Sequence, residues 1–187
     1  MSQPSPKWGL SPETPLQGLV QVFTGDGRGK TTAALGTVVR ALGQGRKVFI
    51  VFFMKGDYPY GERSTLGKLP GVDIESFGGM DFVYRDNTKP DDKKQAQLAL
   101  ASARKAMLGG KYDIVVLDEV CVATAFDLIP VSEVISLIKD KPPGVELILT
   151  GRQASPELIK IADLVTECRK IKHPYDKGID SRRGIEY

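Results

Sequence analysis

A lysine and two threonines behind a run of glycines are the first residues of this chain whose types and spacing imply chemistry. The stretch is Thr24-Gly25-Asp26-Gly27-Arg28-Gly29-Lys30-Thr31-Thr32, and it follows the apolar run Leu19-Val20-Gln21-Val22-Phe23. Glycines let a backbone turn sharply and aim successive N–H groups at one point. A helix opening at that point adds its positive end. Such a nest holds oligophosphate oxygens, Lys30 brings a point charge to them, and the Thr31 hydroxyl suits a divalent cation bridging them. The usual phosphate-loop pattern begins with Gly. Here Thr24 holds that place, and the glycines stand at 25, 27 and 29. All nine residues from Thr24 to Thr32 are candidate nucleotide contacts.

The matching acidic element is Asp113-Ile-Val-Val-Leu-Asp118-Glu119. Four apolar residues lead to two carboxylates at a strand end, where phosphates would lie. Either carboxylate can hold Mg²⁺ directly or through water. No Asn-Lys-x-Asp follows a late strand, so guanine specificity has no support. On these residues alone a small phosphotransferase, a nucleotide-gated binding module and a nucleotide-cleaving transferase all stay open.

Positioning these groups requires a scaffold, and the pattern supplies one. Leu19–Phe23 reads as a strand, Thr31–Leu42 as a helix with Ala34, Leu35, Val38, Val39 and Leu42 on one face. Lys47–Phe53 is a continuous apolar run, the mark of a strand covered on both faces. A short helix over Gly61–Leu69 and a strand over Val72–Phe77 follow. Residues 78–90 are irregular. Asp91–Met107 reads as a helix with Asp91 and Asp92 at its positive end. Then come strand 113–117, helix 130–139, strand 145–150, helix 156–162 and strand 164–167. This alternation predicts an α/β fold, a mostly parallel sheet with helices on both faces, and ligands at the carboxyl ends of the strands.

The chain has 187 residues, 41% hydrophobic and 26% charged, which excludes a disordered polymer, a collagen and a coiled coil. Lys plus Arg is 26 and Asp plus Glu is 23, a net +3 too mild to argue for nucleic acid. No apolar run is long enough to span a membrane. Cys121 and Cys168 are far apart and in no metal-binding spacing, so a reducing, cytoplasmic setting is expected, with both as buried thiols. Residues 1–17, rich in Pro and Ser, are expected to form a flexible tail, and 18–187 a single domain.

Further segments carry a resemblance. They are Phe53-Met54-Lys55-Gly56, Gly61-Glu62, Thr150-Gly151-Arg152-Gln153-Ala154, Ala162-Asp163-Leu164-Val165-Thr166-Glu167, Lys172-His173-Pro174-Tyr175 and Gly184-Ile185-Glu186-Tyr187. With the glycine loop they resemble the P-loop ATP:corrinoid adenosyltransferases, from about residue 18 to the end. The resemblance implies a RecA-like P-loop fold, and transfer of the 5′-deoxyadenosyl group of ATP to the Co(I) of a reduced corrinoid with release of triphosphate. It further implies a cytoplasmic, Mg²⁺-dependent homodimer, with a reductase as a possible electron supplier, and no nucleic-acid or membrane partner.

By the same resemblance Lys30 and the loop N–H groups steady the leaving triphosphate, and Arg28 reaches its γ-end. Thr31 and Glu119 hold Mg²⁺ with Asp118 behind them. Phe82 matches an aromatic that strips the axial ligand from cobalt. Tyr84 stands where the family carries Trp, a departure toward a smaller ring with a hydroxyl. Glu62 contacts nucleotide or caps a helix; Arg152 contacts ribose or phosphate or forms a surface ion pair. His173 is expected to be structural. The basic C-terminal tail either closes over the triphosphate or is solvated. A P-loop ATPase or phosphotransferase, and a non-enzymatic protein delivering a corrinoid or nucleotide, are the competing functions.

Overall fold

The structure, a computed structural model, describes residues 17–56, 58–79 and 83–187. The expected tail lies outside these except for its last residue, and Phe82 also lies outside them. Among the described residues six strands and six α-helices follow in the order β1 (Val20–Thr24), α1 (Lys30–Leu42), β2 (Val48–Phe52), α2 (Gly61–Leu66), β3 (Val72–Ser76), α3 (Pro90–Leu108), β4 (Ile114–Asp118), α4 (Val120–Ala125), α5 (Val131–Lys139), β5 (Glu146–Thr150), α6 (Pro156–Ile161) and β6 (Leu164–Glu167), alternating except for the pair α4–α5. The sheet runs β3-β2-β4-β5-β1-β6. Every pairing between neighbours is parallel.

The continuous apolar runs explain why this sheet is sandwiched. Side chains alternate across a strand, so a run with no polar member must bury both faces. Phe49 and Val51 of β2, Val115 and Leu117 of β4, and Leu147 and Leu149 of β5 pack with α3, α4, α5 and Leu158 of α6. Val48, Ile50 and Phe52, with Val116 and Ile148, turn the other way onto Ala34, Val38 and Ala41 of α1 and Leu66 of α2. The small alanines of α1 and α3 let these helices lie close on the sheet.

The helix boundaries follow local chemistry. Helix α3 has Pro90 in its first turn, and Asp92 accepts the Lys89 N–H at 2.7 Å. Helix α6 has Ser155 as its N-cap, accepting from the Leu158 N–H at 3.2 Å. Helix α4 was not expected from the sequence. Val120-Cys121-Val122 is β-branched at two of three positions and disfavours helix by propensity. Packing on β5 overrides that preference.

The cysteines differ. Cys121 is fully buried, and burial together with the nearby Glu119 and Asp118 carboxylates pushes its thiol up to about 12. Cys168 is half-buried, a correction to the expectation that both are buried. Native protein treated with iodoacetamide at pH 8 is expected to lose Cys168 to alkylation while Cys121 stays free, as read by peptide mass mapping; modification of Cys121 at a comparable rate would contradict this burial.

Candidate functional site

The four central strands of the sheet end in one cavity of about 550 Å³. Lys30, Thr31 and Thr32 follow β1, Lys55 follows β2, Glu119 follows β4 and Arg152 follows β5, and all line it. Its size lies within the roughly 300–1,000 Å³ of ligand pockets. Glu62 lines it from the first turn of α2, and the segment Gly184–Tyr187 closes one side.

The glycine loop is shaped for an anion. Gly29, at φ 118°, turns the chain directly into α1, and no side chain caps the helix. The first-turn N–H groups of α1 have no intrahelical acceptor, by helix geometry, and are offered to a ligand. Lys30 is buried, with Nζ 2.6 Å from the Gly27 carbonyl oxygen. Burial is the main cause holding its ammonium below the usual lysine value, and Glu119 opposes the shift.

The rest of the loop is zipped to the chain's last segment. The Cys168 N–H donates to the Thr24 carbonyl at 2.8 Å, and the Gly27 N–H donates to the Cys168 carbonyl at 2.6 Å. The Asp26 carboxylate accepts the Lys170 N–H at 3.0 Å, which holds it below the usual carboxylate range. Thr24 is buried and its hydroxyl accepts the Ala154 N–H at 3.2 Å. Thr24, Gly25 and Asp26 therefore shape the loop from behind and do not line the cavity.

Asp118 is the hub of the acidic element. It is fully buried. Its Oδ1 accepts the hydroxyls of Thr31 at 2.8 Å and Thr150 at 2.7 Å, and its Oδ2 accepts from Lys55 Nζ at 2.6 Å. Thr150 also accepts the Glu119 N–H at 2.9 Å, so β5 fixes both acidic residues. The Glu119 carboxylate has no hydrogen-bond partner among the described residues and faces the cavity. Burial, then the adjacent Asp118, raises its pKa above the ordinary value, against Lys55, Lys30 and Arg152.

Three of the four non-glycine residues with left-handed backbone among the described residues stand just past strand ends at this cavity: Met54 (φ 56°), Glu119 (φ 65°) and Gln153 (φ 57°). Each such residue costs about 1–3 kcal/mol and persists where surrounding structure over-determines it, which happens chiefly at functional sites.

Lys55 is the residue sequence reasoning passed over. It lies in a quoted segment, but nothing in Met54-Lys55-Gly56 signals that its amine turns inward. Tyr60 and Tyr187 were missed likewise; both line the cavity, and the Tyr58 ring joins them, 4.9 Å from Tyr60 and 5.6 Å from Tyr187 between centroids. Arg28 lines the cavity but pairs with Glu186 at 3.1 Å and with the Ile185 carbonyl. The tail thus closes on the phosphate loop through an acidic residue. His173, expected to be structural, accepts the Tyr175 N–H at its Nδ1 at 3.2 Å to cap a short turn, and it also lines the cavity. Tyr84 is set apart. It is exposed and lines a second cavity of about 410 Å³ with Gly79, Val83, Asn87 and Lys89.

A phosphate loop after β1, an acidic strand end at β4 and a single strand, β5, between them define a P-loop nucleotide-binding α/β protein of RecA-like arrangement. Residues 16–187 match the family described as ATP:corrinoid adenosyltransferase BtuR/CobO/CobP, and the chain belongs to that family. It is 36% identical to the corrinoid adenosyltransferase of Escherichia coli strain K12 over 171 residues, which is 91% of this chain and 86% of that one. The corrinoid adenosyltransferase CobA of Salmonella typhimurium is 36% identical over the same shares. That of a Sinorhizobium species is 36% identical over 180 residues, 95% of this chain and 84% of its own.

Proposed function

We propose that the chain transfers the 5′-deoxyadenosyl group of ATP to the cobalt of a reduced corrinoid. The observation carrying this reading is the convergence of Lys30, Thr31, Glu119 and Arg152 in one cavity, in a chain that belongs to this family over residues 16–187. The cavity lining holds no Ser or Cys among the described residues, in keeping with a nucleophile supplied by the substrate. Co(I) attacks C5′, a Co–C bond forms, the C5′–O bond breaks, and its electron pair leaves with the triphosphate. Cobalt ends formally as Co(III).

The chain's own task is to hold C5′ in line with the metal and to stabilise charge on the departing oxygens. Lys30, the first-turn amides of α1 and Arg28, once released from Glu186, serve the triphosphate. Arg152 and Glu62, which line the same cavity, serve the nucleotide. The donor set fits Mg²⁺. Asp118 accepts the Thr31 proton, which leaves that hydroxyl's lone pairs free for a cation, and Glu119 offers an unengaged carboxylate. Among the described residues no cluster of three or more His, Cys, Asp or Glu is gathered for a metal. That suits Mg²⁺, which takes most of its ligands from phosphate and water. Bound there by Thr31 and Glu119, it would neutralise charge on the triphosphate.

Phe82 and Tyr84 are proposed to displace the axial ligand of Co(II), so that an external reductase can deliver the electron that makes Co(I). A cytoplasmic homodimer is proposed as the working form. The free cysteines agree with a reducing setting. Among the described residues no helix is long and apolar enough to cross a membrane.

The test is direct. Protein with ATP, Mg²⁺ and chemically reduced cobalamin is expected to yield a light-sensitive adenosylated product and free triphosphate. Orthophosphate release without a Co–C product would favour a phosphotransferase or ATPase; binding without turnover would favour a delivery protein. Phe82→Ala is expected to leave ATP affinity intact and to slow adenosylation from Co(II) far more than from preformed Co(I). Equal losses would remove Phe82 from this role.

A further inference from the structure

We infer that Lys55 is a second triphosphate-binding lysine, which exchanges Asp118 for a phosphate oxygen when nucleotide binds. The inference rests on the proposed reaction, in which an entire triphosphate must be held as it leaves. A phosphate loop carries one lysine of its own; this site contains two facing the same cavity, on the ends of β1 and β2. Lys55 is only 10% exposed, and among the described residues Asp118 Oδ2 is its one oxygen partner. An ammonium has three donors. The others face the cavity and the Tyr60 ring, whose centroid is 4.7 Å from Nζ.

The backbone around Lys55 is built to aim it. Met54 is held left-handed at φ 56°. The Lys55 and Gly56 N–H groups donate to the Phe77 carbonyl at 3.0 and 3.3 Å. Arg63 donates to the carbonyls of both Lys55 and Gly56. Gly78 lies so close that a Cβ on it would sit 2.8 Å from the Met54 Cα, and one on Gly56 would sit 2.2 Å from the Gly79 carbonyl oxygen. Strain maintained by that many contacts at a strand end over a ligand cavity has a positioning purpose. The Thr31 and Thr150 hydroxyls hold Asp118 through Oδ1, and Lys55 through Oδ2, so the carboxylate stays anchored at one oxygen when the lysine turns from the other to a phosphate. Lys30 behaves in parallel, resting on the Gly27 carbonyl at 2.6 Å.

Titration calorimetry with inorganic triphosphate in EDTA separates direct contact from an effect through a metal. Lys55→Gln is expected to bind triphosphate at least about tenfold more weakly than the unchanged protein, or about 1.4 kcal/mol. Lys55→Arg is expected to stay within a few-fold. Asp118→Asn, which frees the ammonium, is expected to bind as tightly or more tightly. If Lys55 acts only by positioning Asp118, neither change moves the affinity in EDTA, and that result overturns the inference. Equal weakening by Lys55→Gln and Asp118→Asn overturns it too. Should Lys55→Gln fail to fold, the pair Lys55→Gln with Asp118→Asn buries no unpaired charge and takes its place, with the same tenfold loss expected. If the unchanged protein itself does not bind triphosphate in EDTA, this inference falls, and the Co–C product assay still decides the adenosyl-transfer reading; if it binds and Lys55→Gln matches it, only the role of Lys55 falls.

Discussion

Replacing Lys30 with alanine is expected to lower adenosyl transfer by about 10²–10³-fold, the usual consequence of deleting a preorganised charge aimed at a developing anion. The loss should appear as vanished ATP binding in calorimetry. The fold should survive. Lys30 is buried against its charge, with its pKa lowered chiefly by desolvation, so its removal relieves an unfavourable burial as it deletes one hydrogen bond to Gly27. The melting temperature without ATP is therefore expected to hold or rise, while the upward shift that ATP gives the unchanged protein disappears. A variant that melts many degrees lower, or that still shifts with ATP, would show that Lys30 serves the fold and not the phosphates.

The second large effect concerns one methyl group. Gly25 has φ 100°, where side chains are strained, and a Cβ there would stand 2.5 Å from the Cys168 carbonyl oxygen and 2.9 Å from its nitrogen. Both neighbours are backbone and cannot rotate away. Gly25→Ala must push apart the segment that Gly27 and Thr24 hold by hydrogen bonds to Cys168. Left-handed strain of roughly 1–2 kcal/mol and overpacking of roughly 1–3 kcal/mol together predict a loss of about 2–5 kcal/mol, a large fraction of a typical domain's stability. ATP binding should fall with it. Gly36→Ala is the natural control: it lies in α1 with nothing within 4 Å of its Cβ position. That change is expected to stabilise by about 0.5–1 kcal/mol. Chemical denaturation of both variants decides the point; losses of similar size would show that the contact at Cys168 is not what makes the loop rigid.

The two glycines illustrate what was legible in the sequence and what was not. Helix α1, the buried strands and the order of elements follow from period and composition, because a run such as Val48-Phe49-Ile50-Val51-Phe52 has only one way to satisfy both of its faces. The phosphate loop, Asp118 with Glu119, and Arg152 could be named because each has a local pattern. That the four central strands bring them to one cavity follows from a parallel sheet. The zip between the loop and residues 168–170 had no such pattern: it joins segments more than 140 positions apart, mostly through backbone atoms, whose partners composition does not encode. Asp26 was expected to touch nucleotide, and nothing in the sequence signals that its carboxylate also accepts the Lys170 amide. Lys55 escaped notice for a related reason. Its direction depends on a left-handed methionine enforced by Gly78, and only three-dimensional contact reveals that. Helix α4 shows the opposite failure, where local preference was clear and packing overruled it.

The position of β1 bears on how the molecule is made. Its neighbours in the sheet are β5 and β6, and the Gly18 N–H reaches the Pro143 carbonyl at 2.8 Å. A chain emerging from the ribosome thus releases its phosphate loop early, and must wait for more than a hundred further residues before the strand carrying that loop finds either companion. At about 5–20 residues per second this delay lasts many seconds, during which β2, β3 and β4 can already pair. Nucleotide can have no firm hold on the growing polypeptide until β5 and β6 have emerged to flank the strand that carries the loop.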